Sequence, residues 1–229
     1  MKTQNRFTAC RTSLVLLASL ILPAAWADHH QAHTGSDHHA HPEKQAVQPA
    51  QKAELGEPAP DFTLEDANGN THSLSAHKGK YVVLVWVNPG CPFVQRHNEE
   101  NTIDRLRAKY DKDKVTILQI DSTHHVTPER TRKVAEQFDH QVPTLHDPTG
   151  RVGRSYEAKT TPHVYVIDTE GILRYRGALD DDPMGRQQPA DRTHYVDQSL
   201  EALFDGQAPP AKSTKPYGCN VKYGHPDKT

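Results

Sequence analysis

Apolar residues fall along this chain in short dense runs, and the spacing inside each run predicts an element. The first run, Leu14 to Leu22, follows Lys2, Arg6 and Arg11 and precedes Pro23 and the pattern Ala25-Trp26-Ala27. Basic residues, a short apolar core and small residues in that order have the form of a secretory signal peptide, residues 1–27, too short to span a bilayer. Residues 28–54 carry no apolar period. Rich in His, Gln, Ala and Pro, they cannot bury enough surface to offset ordering entropy, which predicts a disordered leader. The periodic part begins at Leu55. Phe62 and Leu64, with a turn at Asn68-Gly69, predict a short hairpin or extended arm. The run YVVLVWV at 81–87 reads as a strand buried on both faces, and 115–120 as a second. Between them, 91–110 predicts one helix with Ile103, Leu106 and Tyr110 on one side.

Thr127 as cap and Pro128 in the first turn open a helix that runs to about Phe138. A short amphipathic piece follows at 151–156. Strands at 164–168 and 172–179 flank Thr169-Glu170-Gly171 as a hairpin, and a helix at 195–204 has Gly206 just past its end. The order β-α-β-α, hairpin, helix predicts an α/β domain over residues 55–208, a central mixed sheet with helices on both faces. Strands joined by helices pair in parallel, and the hairpin supplies the antiparallel edge. Residues 209–229, rich in Pro, Lys and Gly, predict a flexible tail.

Charge narrows the partners. A formal net charge of -2, a pI of about 6.8 and no basic block speak against nucleic acid. Nothing after the signal approaches membrane-spanning length, so the mature chain is expected to be exported and off the membrane. The compact basic-then-apolar signal has a bacterial form and makes a periplasm the expected location. Cys10 leaves with the signal, and Cys91 and Cys219 remain. In an oxidising compartment such a pair reads as a disulfide or a redox couple.

Cys91 stands directly after the buried run and directly before Pro92, which fits a first helical position. Unpaired N–H groups at a helix start favour the thiolate, so this placement predicts a reactive sulfur; the plainer reading is an inert core cysteine. Trp86 and Phe93 flank it as an apolar rim or as plain core. His163 is better placed than His97 to approach the sulfur and lower its pKa; the plainer reading of both is packing. His29, His30, His33, His38, His39 and His41 make the leader a weak binder of zinc, copper or nickel, without fixed ligand spacing. Asp180, Asp181 and Asp182 read as a solvated turn.

Four segments carry a resemblance. The opening LGEPAPDFTLEDANG at 55–69, TPHVYVID at 161–168, and NPGCPFV at 88–94 with YGCNVKY at 217–223 together resemble the redoxin, or alkyl hydroperoxide reductase/thiol-specific antioxidant, family of peroxiredoxin-like proteins. The likeness spans about residues 55–223 and implies a thioredoxin-like fold. It also implies a cis bond before Pro162, in a loop facing Cys91 whose backbone is free to pair with an incoming extended chain. The chain departs from the family pattern at three places. Val94 stands where a C-x-x-C motif has its second cysteine, Asn88 stands where peroxiredoxins carry threonine, and Thr161-Pro162 stands where they carry an activating arginine. Asn88 is then expected to donate to the sulfur, and Arg96, Arg154 or Arg174 to reach it.

The function this implies is an exported thiol–disulfide oxidoreductase with antioxidant, peroxiredoxin-like character. Cys91 attacks a protein or small-molecule disulfide, or a peroxide, and Cys219 or an external thiol resolves the product. No cofactor is required. One alternative is a metal-binding or metal-delivery protein using the leader, disfavoured because copper delivery on this fold needs two closely spaced cysteines. The other is a binding domain with a structural Cys91–Cys219 bridge.

Overall fold

The computed structural model of the chain describes residues 51–224. The expected signal peptide, most of the expected leader and all six of its histidines lie outside the described residues.

The core of the fold is a seven-stranded mixed sheet in the order β2-β1-β5-β4-β3-β7-β8. Its strands are β1 (Thr63–Asp66), β2 (Thr71–Ser73), β3 (Tyr81–Trp86), β4 (Val115–Asp121), β5 (Thr144–His146), β7 (His163–Ile167) and β8 (Leu173–Gly177). The β3–β4 and β4–β5 pairs are parallel, whereas β7 runs antiparallel to β3 and β8 antiparallel to β7. The α-helices of the described residues are α1 (Pro92–Glu99), α2 (Thr102–Lys109), α3 (Pro128–Gln137), α4 (Arg151–Ser155) and α5 (Tyr195–Phe204). A separate two-stranded ladder joins β6 (Thr160–Thr161) to β9 (Cys219–Asn220).

Strand alternation divides the core. Val82, Leu84 and Trp86 face one side with Tyr156, Tyr165 and Ile167, under α4 and the arm that contributes Ala53 and Phe62. Val83, Val85 and Val87 face the other with Val164 and Val166, under Val94 of α1, Ile103 and Leu106 of α2, and Val196 and Leu200 of α5. Cys91 belongs to this second side.

The single helix expected over 91–110 is two helices. Val94 and Ile103 are nine positions apart, about two and a half helical turns, so one straight helix would turn them to opposite faces. The break at Asn101, with φ 53°, brings both onto the sheet. Asparagine tolerates this left-handed conformation better than most residues.

The flexible tail is corrected more sharply, because residues 209–224 run back over the domain. Thr214 N–H donates to the Arg176 carbonyl at 3.2 Å, and its hydroxyl accepts from Ala178 N–H at 2.9 Å. Val221 N–H donates to the Lys159 carbonyl at 3.0 Å, and His124 N–H to the Lys222 carbonyl at 3.1 Å. Tyr223 donates to the Ala158 carbonyl at 2.8 Å, and the Arg154 guanidinium lies 4.7 Å from the centre of its ring. The burial that Tyr217, Val221 and Tyr223 provide outweighs a composition that otherwise favours disorder.

Candidate active site

Cys91 caps α1. Its backbone is extended, φ -86° and ψ 121°, Pro92 takes the first helical position, and the thiol makes no capping bond. The sulfur is therefore held at the positive end of the helix without being used by it. Two bonds fix the loop before it: Cys91 N–H donates to the Asn88 carbonyl at 3.0 Å, and Gly90 N–H to Asn88 Oδ1 at 2.7 Å.

Across from this loop, the Thr161–Pro162 bond is cis. The Cys91 thiol, 1% exposed, donates to the Thr161 carbonyl at 2.9 Å. That same stretch of backbone pairs with the C-terminal ladder, Thr161 opposite Cys219 and Thr160 opposite Asn220. Both cysteines are free thiols in this structure, and both lie against the backbone of Thr161. Burial alone would raise the pKa of Cys91, but hydrogen bonds from the Thr161 side chain, the Cys219 thiol and Val94 N–H outweigh it, and the net shift is downward. Cys219 moves the other way, pushed up to about 11 by burial, by the hydrogen bond to Cys91 and by the charge forming there. The pair thus contains one sulfur that ionises readily and one that holds its proton.

A ready thiolate at a helix start, facing a cis-proline loop, is a redoxin arrangement, and comparison with known proteins agrees. Residues 55–176 match the AhpC/TSA family. The chain belongs to the AhpC/TSA family.

Among relatives of this AhpC/TSA protein, the thiol-disulfide oxidoreductase ResA of Geobacillus kaustophilus is 31% identical over 120 residues, which are 52% of this chain and 67% of ResA. A Mycobacterium tuberculosis protein whose name assigns it provisionally to the peroxiredoxins is 28% identical over 134 residues, 56% of this chain and 78% of its own. A crystal structure of an uncharacterized conserved protein from Geobacillus kaustophilus superposes with a TM-score of 0.67 at 30% identity, covering 75% of this chain and 93% of that one. The fold is thioredoxin-like, and the protein is an oxidoreductase.

Several residues expected at the sulfur are elsewhere. Trp86 is fully buried on the opposite side of the sheet, where Nε1 donates to the Ser122 hydroxyl at 3.0 Å and the ring packs on Tyr156 and Tyr165. It is core, because strand alternation turns it away from Cys91. His163 pairs in register with Trp86 and shares its side. Its Nδ1 accepts from Lys159 N–H at 3.2 Å and meets the Tyr165 hydroxyl at 3.0 Å. Burial, with Arg176 and Lys159 nearby, pulls its pKa down to about 3, so no imidazolium stands there to activate a thiol. Asn88 accepts from Gly90 N–H with its side-chain oxygen and shapes the loop, while the hydrogen bond of the sulfur goes to the Thr161 carbonyl. Arg154 bonds the Thr149 carbonyl at 2.7 Å and the Gly224 carbonyl at 2.6 Å, and Arg174 pairs with Asp168 at 2.5 Å.

Arg96 turns to the arm. It donates to the Tyr217 hydroxyl at 3.1 Å and to His97 Nε2 at 3.0 Å, and it pairs with Glu100 at 3.4 Å and Asp180 at 3.7 Å. Tyr217 in turn donates to Asp180 Oδ1. The solvated turn expected at 180–182 is half wrong: Asp181 is exposed, but Asp180 and Asp182 are buried. Arg192 neutralises them, meeting Asp182 at 3.0 Å and Glu100 at 2.5 Å. This network clasps Tyr217, two residues before Cys219. The Tyr-Gly-Cys triplet at 217–219 was the one sequence hint of it. Among the described residues no cluster of three or more His, Cys, Asp or Glu side chains is placed to hold a metal.

Two of these histidines give the fold an acid limit. Burial, with Arg96 beside it, holds His97 near a pKa of about 3, as it does His163, whereas an unfolded histidine titrates near 6.5. Below 6.5 the unfolded chain binds two protons that the fold refuses, so stability falls with pH. Asp121, raised to about 6 by burial, keeps a proton in the fold that the unfolded chain releases, which cancels one of the two below pH 6. From these three groups the loss is about 1.4 kcal/mol per pH unit near pH 5, and His77 and His146, also shifted down by burial, add to it. Urea midpoints at pH 7, 6 and 5 should fall steadily; a flat series would contradict the neutral, buried state of both rings.

Proposed function

We propose that this protein is an exported thiol–disulfide oxidoreductase in which Cys91 is the nucleophile and Cys219 the resolving thiol. The observation that carries this reading is the meeting of Cys91 and Cys219 at Thr161, beside the cis Thr161–Pro162 bond; the two thiols are shifted in opposite directions. Cys91 thiolate attacks one sulfur of a disulfide; that S–S bond breaks, one thiolate leaves, and Cys91 carries the other half as a mixed disulfide. Cys219, having lost its proton to solvent base, attacks the Cys91 sulfur and expels the second thiolate. Two protein thiols are oxidised to one bridge and the substrate is reduced to two thiols. An external thiol reductant then reopens the bridge. A peroxide enters the same cycle: its O–O bond breaks, Cys91 becomes a sulfenic acid, an alcohol or water departs, and Cys219 condenses with the sulfenic acid to release water. The disulfide route is the stronger of the two, because among the described residues no arginine is bonded to the sulfur to polarise a peroxide. Neither route needs a cofactor, and the signal-like residues 1–27 support a periplasmic setting.

Alkylation of the reduced protein by iodoacetamide against pH tests the nucleophile. Cys91 should label with a midpoint below the free-thiol value of about 8.5, and Cys219 well above it. Mapping after exposure to glutathione disulfide should then find the Cys91 and Cys219 peptides joined. A Cys91 midpoint at or above the free value, or labelling of Cys219 first, would remove the reading.

A further inference from the structure

The backbone before the cis-proline is a short strand edge, and in this protein it is already taken. Residues Thr160 and Thr161 of β6 pair antiparallel with Asn220 and Cys219 of β9, and Val221 N–H adds a bond to the Lys159 carbonyl at 3.0 Å. An open edge of this kind accepts an incoming extended chain through main-chain hydrogen bonds. Here the chain's own arm makes them.

Gly218 sets how closely the arm can lie. Its φ is 123°, in the range that side chains rarely adopt, and a Cβ there would sit 2.1 Å from the Thr161 carbonyl oxygen and 2.7 Å from its carbon. Those are backbone atoms of the cis-proline loop, so nothing flexible can yield. Tyr217 then anchors the arm through Arg96, His97 and Asp180. Under this strap Cys91 is 1% exposed.

We propose that the arm occupies the docking place of an extended polypeptide, so that Cys91 turns over low-molecular-weight disulfides in preference to disulfides in proteins, with Gly218 as the residue that sets the selectivity. This rests on Cys91 being the nucleophile. A polypeptide must strip β9 from β6 and pull Tyr217 from its clasp before its own backbone can pair. A small disulfide brings no strand and needs only the tip of the arm, Gly218-Cys219, to lift. Its sulfur meets Cys91, one small thiolate leaves, and the returning arm delivers Cys219 to displace the other. Selectivity comes from an obstacle to the wrong partner as much as from contacts to the right one.

The test uses the reduced full chain with two probes, glutathione disulfide and an unfolded polypeptide carrying one disulfide. Consumption of the Cys91 thiol is followed by quenched alkylation and mass spectrometry, and each rate is divided by that of free glutathione with the same probe. The wild-type protein should favour glutathione disulfide by about tenfold or more. Gly218→Ala should cut that preference by about fivefold, chiefly by speeding the polypeptide reaction. Tyr217→Phe, which leaves the backbone untouched, should shift it in the same direction. A wild-type preference near one, or a preference unchanged in both variants, overturns the selectivity and leaves Cys91 as nucleophile standing. Failure of Cys91 to react with either probe overturns both.

Discussion

Cys219→Ser should leave the first attack by Cys91 intact and stop the cycle at its midpoint. The mixed disulfide with glutathione would accumulate as a stable adduct on Cys91, readable as a mass increase, because the described residues hold no further thiol to resolve it. Turnover would then depend on external thiol colliding with a buried centre. A thiol held in contact has an effective concentration far above millimolar, so the loss should be about a hundredfold or more. Cys91→Ser should instead abolish adduct formation altogether, since a serine hydroxyl does not ionise at neutral pH and is no match for a thiolate. Turnover of Cys219→Ser at the wild-type rate with the same reductant would make Cys219 a bystander.

The second large effect is on stability. Arg192→Met should destabilise the fold by about 3 kcal/mol, measured by urea unfolding. The methionine roughly keeps the volume but removes the partner of Glu100 at 2.5 Å and of Asp182 at 3.0 Å, leaving buried carboxylates crowded around Arg96 alone. Removing one member of a buried ion network costs much more than the intact network contributes, because the charges left behind have lost water and gained nothing. The figure is at the low end of the usual range because Glu100 keeps some access to solvent. A change within about 0.5 kcal/mol, the usual scatter of surface substitutions, would mean the network is in effect hydrated.

The sheet was legible because long apolar runs leave little choice: 81–87 and 115–120 had to be buried strands, and both lie at its centre. Helix starts with a cap and a proline, Thr127-Pro128 and Cys91-Pro92, were legible for the same local reason. What escaped depends on partners distant in sequence. Three-residue β5 is too short to show a period, and β6 and β9 exist only as a pair 58 positions apart. The arm reads as linker by composition, and its three anchors, Tyr217, Val221 and Tyr223, are too sparse to form a pattern. At the site, Cys91 and the cis-proline followed from local chemistry and resemblance. The side on which His163 and Trp86 lie required the strand register, and parity along β3 then decided both at once. Asp180 looked solvated because its neutralising arginines come from other elements.

The β6–β9 ladder has a thermodynamic consequence for the whole fold. A bridge between Cys91 and Cys219 closes a loop of more than half the chain, and in the unfolded state that closure costs roughly 5 kcal/mol of chain entropy. The ladder has already brought the ends together, so the native state bears little of that cost. Folding therefore favours the bridge, and by linkage the bridge favours folding to the same extent. Opposing this, the hydrogen bonds that lower the Cys91 pKa stabilise the reduced, thiolate form and vanish on oxidation. The midpoint potential of the pair is the balance between a chain-closure bonus and a thiolate bonus, and a change in either moves the melting temperature of the oxidised protein relative to the reduced one.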